Sequence, residues 1–181
     1  HPVHCHTYIK RVIGMPGDTI QVKGGVLYLS GAAVPKVRIG DFIAPITHYN
    51  PCRIDRFRTI AADGKPVCRY ARYRETLPGG VSYQVLDFGA ADAYNPWRVD
   101  ADNTEAVIVP EGDLFVMGDN RDNSEDSRFP AVAGEGVGFL PIDNVVGRAA
   151  VIAFSTDGTA SWLNPVSWFH AARWNRVGKT L

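Results

Sequence analysis

Val116-Met117-Gly118-Asp119-Asn120-Arg121-Asp122-Asn123-Ser124-Glu125-Asp126-Ser127-Arg128-Phe129 is the most informative stretch of the chain. The apolar run Leu114 to Met117 reads as a strand that ends at Gly118 and passes into residues almost all charged or hydrogen-bonding. Asp, Asn and Ser side chains bond to nearby backbone, so the run predicts a tight, self-satisfied loop. Arg121 and Arg128 carry planar forks that match carboxylates, which suits them to hold Asp119, Asp122 or Asp126 in fixed geometry. Two readings stand open here: a solvated surface loop, or a loop that presents one hydroxyl. A calcium loop fails, although Asp122, Ser124 and Asp126 alternate, because Ser127 stands where the turn glycine is required and Ala133 where the distal Glu is required.

A second stretch, Tyr8-Ile9-Lys10-Arg11-Val12-Ile13-Gly14-Met15-Pro16-Gly17-Asp18, sets one lysine in an apolar strand that ends at a Pro-Gly turn. In a period-two strand Tyr8, Lys10 and Val12 share one face and Ile9, Arg11 and Ile13 the other, so Arg11 points away from Lys10. A lysine titrates near 10.4 and acts as a base at neutral pH only where burial lowers that value by about three units, roughly 4 kcal/mol of preference for the neutral form. A hydroxyl beside it would orient its lone pair. The plainer reading is a lysine snorkelling out of a half-buried strand.

Taken together, Tyr8-Ile9-Lys10-Arg11 with Gly14 to Asp18, and downstream Gly118 to Ser124 with Asp126-Ser127-Arg128, resemble two signature blocks of bacterial type I signal peptidase, in the same order and with a variable insertion between them. Gly147-Arg148-Ala149 is similar to that family's last block. The resemblance implies a serine-lysine hydrolase in which Lys10 is the general base and Ser124 hydrogen-bonds it. Arg11, Asp119, Asp126 and Arg128 match residues that hold the site together through ion pairs. Asn120, Arg121 and Asn123 fall in the same block and are read as site-structuring. Tyr8 and Ile9 match positions lining pockets for small side chains. No cofactor and no metal are implied. The substrates implied are the signal peptides of exported preproteins, cut after a small residue at the outer, periplasmic face of the inner membrane.

The family's nucleophilic serine lies upstream of the lysine, in a Ser-Met-x-Pro stretch after a membrane anchor. Serines stand here at 30, 82, 124, 127, 155, 161 and 167, and none is followed by such a sequence. The chain as given therefore holds the base and its orienting hydroxyl without the attacking group, and is expected not to cleave alone. Intact blocks around the base favour a fragment over a decayed relative.

Composition narrows the classes further. The 181 residues, 45% hydrophobic and 21% charged, are read as one folded catalytic domain, 1–181, with an insertion at about 34–102. Nineteen basic residues balance nineteen acidic ones, so no global field attracts nucleic acid. Cys52 and Cys68 have a spacing that can close a disulfide in an oxidising compartment, which would leave Cys5 free. His1, His4, Cys5 and His6 crowd one chain end without a second ligand group, so a frayed terminus is preferred to a metal site. No apolar run reaches the length of a membrane-spanning helix, so any anchor would lie upstream.

In chain order, strands are predicted at Thr7 to Ile13, Thr19 to Lys23 and Val26 to Leu29, the last two joined by a Gly24-Gly25 hairpin turn. From Val34 to Asp102 prolines break the period. Short strands are possible there, among them Arg69 to Glu75 and Val81 to Phe88, and no catalytic role is assigned to the segment. Its arginines, Arg53, Arg56, Arg58, Arg69, Arg72 and Arg74, read as a solvated strand face before a lipid-binding patch. Further strands are predicted at Glu105 to Val109 and Val145 to Ser155, and a helix from Pro165 to Asn175. In the tail Trp162, Trp168, Phe169 and Trp174 mix with Arg173, Arg176 and Lys179, which suits either a membrane interface or a helix capping the core.

The fold class is thus mainly β, antiparallel sheets with short helical turns. A non-catalytic β-module that binds extended exported peptides is the alternative from a different class. A self-cleaving repressor would want a DNA-binding helix-turn-helix, which is not visible. A plasmid-transfer peptidase fits less well than the full Asn120 to Ser124 run.

Overall fold

The computed structural model describes residues 7–48, 51–52, 54–89, 100–132, 136–161 and 163–180. In chain order the strands are β1 (Arg11–Gly14), β2 (Thr19–Lys23), β3 (Val26–Leu29), β4 (Ala32–Ala33), β5 (Lys36–Pro45), β6 (Arg58–Ile60), β7 (Pro66–Thr76), β8 (Ser82–Leu86), β9 (Val107–Ile108), β10 (Asp113–Met117) and β11 (Leu140–Pro141). One α-helix, α1 (Pro165–Ala171), follows. The chain is mainly β and its strand pairs run antiparallel, as the period-two patterning predicts. It divides into two compact units, one drawn from His1–Gly40 and Ala71–Val145, the other from Asp41–Tyr70 and Val146–Leu181.

In the first unit β1 pairs with β10, and β10 with β11 on its other side. Leu114, Phe115, Val116 and Met117 of β10 are all buried, so this strand is covered on both faces, which is why it reads as an unbroken apolar run. A second sheet has the order β4-β3-β2-β9. Its β2–β3 hairpin closes on Gly24 and Gly25, at φ 53° and 73°, the positive values that a two-residue primed turn requires. Ile13, Ile20, Val22, Leu27, Val85, Phe115 and Met117 of the strands, with Val109 just after β9, are buried together in the core. Residues 72–76 of β7 pair with all of β8, in the register Glu75↔Tyr83.

In the second unit β6 pairs with the first residues of β7, and a smaller core gathers Ala44, Cys52 and Cys68 beneath Phe42, Ile46, Phe57 and Tyr70. Cys52 and Cys68 are joined by a disulfide, with their Cα atoms 5.7 Å apart. Cys5, the terminal histidines, Arg53 and Trp162 lie outside the described residues.

Three sequence expectations are corrected. The segment 34–102 contains not only short strands but β5 and β7, of 10 and 11 residues; the predicted Arg69 to Glu75 covers only part of β7, while Val81 to Phe88 spans β8. Val145 to Ser155 makes no continuous strand. It finds single-residue pairings only, Val151 with Thr180, and beyond its end Thr156 with Ala172, and Val145, Val146, Val151 and Phe154 stay exposed without a ladder to cover them. The helix stops at Ala171 rather than Asn175 because Ala172 turns extended to make that pairing with Thr156. Its start is as predicted, with Asn164 Oδ1 accepting from the Val166 N–H and Pro165 in the first turn.

Candidate active site

The β1–β10 register sets the site. Arg11 faces Met117 and Val12 faces Val116, so one residue further along Lys10 comes opposite Gly118, where β10 gives way to the polar loop. The loop folds back through a 3-10 turn at Arg121–Asn123 and buries Ser124 against that glycine. Lys10 Nζ donates to Ser124 Oγ at 2.7 Å. Only glycine allows this approach. A Cβ on residue 118 would stand 2.6 Å from Ser124 Cβ, nearer still to its Oγ, and 3.8 Å from Lys10 Nζ.

Burial lowers the pKa of Lys10 from its ordinary value. Asp126 and Glu125 work against that shift and the Arg128 guanidinium works with it. A neutral lysine nitrogen that gives one N–H to Ser124 keeps its lone pair for a proton from elsewhere. The contact thus fixes the direction in which Lys10 can act as a base.

Around this pair the charges are held by forked bonds. Arg11 binds Asp119 through Nε and Nη2, both at 2.8 Å, and its guanidinium lies 4.2 Å from the centre of the Tyr83 ring. The Asp119 bond raises the Arg11 pKa and keeps it charged. Arg128 grips Asp126 with two bonds of 2.9 Å, and the Gly118 N–H donates to Asp126 Oδ2 at 3.0 Å. Burial would raise the Asp126 pKa, but these bonds and one from the Ser124 hydroxyl prevail and hold it below the usual carboxylate value. Arg121 does not pair with an aspartate of its own loop, as its sequence position suggested. It reaches Glu75 on β7 at 3.0 and 2.5 Å, while its Nε donates to the Gly118 carbonyl at 3.2 Å.

The residues singled out from sequence therefore fall into three groups. Lys10, Arg11, Asp119, Arg121, Ser124, Asp126 and Arg128 come together in one constellation. Asn120 and Asn123 form the turn, Asn123 N–H bonding the Asn120 carbonyl at 3.1 Å. Tyr8 and Ile9 precede β1, are 55% and 86% exposed, and flank Lys10 on the open side, with Nζ 5.7 Å from the Tyr8 ring. Gly118, Glu75 and Tyr83 were missed as site residues. Gly118 was legible as a turn signal and as part of the family block, whereas Glu75, although within the predicted strand Arg69 to Glu75, stands beside Arg72 and Arg74 and gives no local sign of burial. Among the described residues no group of three His, Cys, Asp or Glu is placed to hold a metal ion.

The sequence model of the family described as signal peptidase, peptidase S26, matches residues 2–154. The chain belongs to this family. Proteins named signal peptidase I from Rickettsia bellii and Rickettsia typhi are 31% and 32% identical to it over 96% of its length, and that of Rickettsia prowazekii is 31% identical over the same share. The chain spans between 54% and 59% of the length of these curated relatives. In this signal peptidase family member both conspicuous sequence blocks lie inside the matched region, and they are the blocks that the β1–β10 pairing brings face to face.

Proposed function

We propose that this chain carries the base-bearing part of a signal peptidase I, a serine endopeptidase that removes signal peptides from exported preproteins after small residues. The observation that carries the reading is the 2.7 Å bond from Lys10 to Ser124 at a lysine whose pKa burial lowers. The attacking hydroxyl is assigned to a serine upstream of Lys10, as the family resemblance implies. Lys10 Nζ takes the proton from that hydroxyl, and the oxygen attacks the scissile carbonyl carbon. The resulting ammonium returns the proton to the departing amine, leaving an acyl-enzyme. Lys10 then removes a proton from water, which attacks the ester carbonyl carbon; the ester C–O bond breaks, the Lys10 ammonium returns its proton to the departing serine oxygen, and the new carboxylate is freed. Tyr8 and Ile9, exposed beside Lys10, are read as walls of the pockets for small side chains.

The reading places the domain at the outer, periplasmic face of the inner membrane, anchored through a segment upstream. Among the described residues no helix is long and apolar enough to cross a membrane. The tail offers a second contact with lipid: Leu163, Val166, Phe169 and Trp174 are exposed, with Arg173, Arg176 and Lys179 nearby in sequence. Phe154 and Trp168 stack on each other instead, with ring centres 6.0 Å apart.

The decisive experiment compares cleavage of a fluorogenic peptide with an Ala-x-Ala site by these 181 residues and by the natural reading frame extended upstream. Only the extended form is expected to cut. In it Lys10→Ala should lower kcat about a thousandfold or more and Ser124→Ala about ten- to a hundredfold. Full activity of Lys10→Ala ends the serine-lysine reading. One observation favours the binding-module alternative: among the described residues β1 pairs on one side only, with β10, which leaves an edge for an added peptide strand. Peptide binding together with ordinary titration of Lys10 would establish it.

A further inference from the structure

Glu75 is a carboxylate with no exposure at all, in a segment with no catalytic part assigned from its sequence. Taking such a group out of water is costly unless a matched partner and hydrogen bonds compensate it. The compensation comes from the loop that carries Ser124. Both Glu75 oxygens are held by Arg121, itself buried. The same guanidinium bonds the Gly118 carbonyl, and the Arg121 carbonyl accepts from Arg128 Nη2 at 2.6 Å. Arg128 in turn holds Asp126, which receives the Gly118 N–H.

Gly118 is thus gripped on both sides, its N–H by Asp126 and its carbonyl by Arg121, directly beneath Ser124 and opposite Lys10. Further support comes from β8 and the residues just after it. The Leu86 N–H bonds the Asp119 carbonyl at 2.8 Å, the Phe88 N–H bonds Asp122 Oδ2 at 2.5 Å, and the Tyr83 ring, paired with Glu75 across the ladder, underlies Arg11.

We infer that Glu75 is a positioning residue for the Lys10–Ser124 pair, acting through Arg121 and the Gly118 carbonyl. The inference rests on the reading of Lys10 as the base. Without the Glu75 charge Arg121 is a buried cation without its partner, and it must move to find water or another acceptor. The Gly118 carbonyl then loses its anchor, Ser124 drifts from Lys10, and water enters beside the amine. Losing burial returns the Lys10 pKa toward the ordinary lysine value, because burial is the largest cause of its lowering.

The test uses Glu75→Gln, which keeps length and shape, in the upstream-extended protein. At pH 7 kcat should fall about tenfold or more with KM within about threefold, and the acid limb of the rate profile should move up by about one pH unit. A folded Glu75→Gln protein with unchanged kcat and limb overturns the inference, even if it melts earlier. Should Glu75→Gln not fold, the pair Glu75→Met with Arg121→Met, which removes both buried charges together, takes its place under the same criteria. A separate reading comes from amide exchange and lysine-side-chain NMR on the 181 residues. If Lys10 of the unaltered protein titrates like an ordinary lysine, the serine-lysine reading falls. The Ser124 amide still decides the role of Glu75: faster exchange in the variant supports it, and unchanged exchange overturns it.

Discussion

A lysine and a serine 114 residues apart meet because the residue between their backbones has no side chain. Gly118 follows β10 with a φ outside the left-handed region, so most residues fit the backbone there. What it forbids is volume, because Ser124 fills the space that a Cβ would take. Gly118→Ala is therefore expected to leave the sheets intact at a cost of about 1–3 kcal/mol in stability, the usual range for overpacking. It should lower kcat about a hundredfold by displacing Ser124 Oγ from Lys10 Nζ, equivalent to about 2.7 kcal/mol in the barrier. Peptide cleavage by the upstream-extended protein, read beside a thermal melt, checks both. Cleavage within about twofold of the unaltered protein would show that the 2.7 Å contact does not govern the rate.

At the scale of elements, β7 was legible only in part and carries two consequences. The disulfide joins Cys52 to Cys68 near the start of β7, closing a loop with a sequence separation of 16. A cross-link of that length stabilises by about 3 kcal/mol, chiefly by restricting the unfolded chain. The Cys52→Ser, Cys68→Ser protein should melt several degrees lower, by about 2–4 °C for each kcal/mol in a chain of this size. Reductant should lower the melt of the unaltered protein by the same amount and leave the double variant unmoved. Equal melts would mean that the small core of Ala44, Phe42, Phe57 and Tyr70 is insensitive to the link. The other consequence is Glu75, farther along β7. Part of the strand was legible, at Arg69 to Glu75, but beside Arg72 and Arg74 a buried acid looks like one more surface charge. By contrast β2, β3 and β10 were legible, since each has either a clean period of two or an unbroken apolar run. That Lys10 meets Ser124 and that Arg11 and Arg128 pair with Asp119 and Asp126 was expected only through the family resemblance, because the loop's residues by themselves left a solvated surface loop open. The partner of Arg121 was not expected, because pairing across 46 residues leaves no local signal.

For the molecule as a whole, pH acts through groups whose folded and unfolded affinities for protons differ, and here they oppose one another. Asp126 lies below its ordinary pKa, so it contributes stability above the unfolded value of 3.8 and loses it as pH falls through the folded one. Asp102 is the reverse case. Burial first, then the charges of Asp122 and Asp87, raise its pKa from 3.8 to about 6. Its carboxylate lies 3.7 Å from where a Cβ on Gly25 would stand, with Asp87 Oδ2 at 3.2 Å and Lys36 Nζ at 3.6 Å from the same point, so two buried aspartates crowd one ammonium. Between pH 3.8 and about 6 the folded chain binds more protons at Asp102 than the unfolded chain does, so stability falls as pH rises through that window, and above it the full cost remains. Asp102→Asn removes the charge and keeps the shape. It should therefore stabilise the protein at pH 7.5 by about 1 kcal/mol, discounted for screening, and change little at pH 3.5, where the native carboxyl is already neutral. Thermal melts of both proteins at the two pH values test this. A gain of equal size at both would assign the effect to packing rather than charge, and a loss at pH 7.5 would mean that the Asp102 carboxylate is held by Lys36 more firmly than Asp87 and Asp122 repel it.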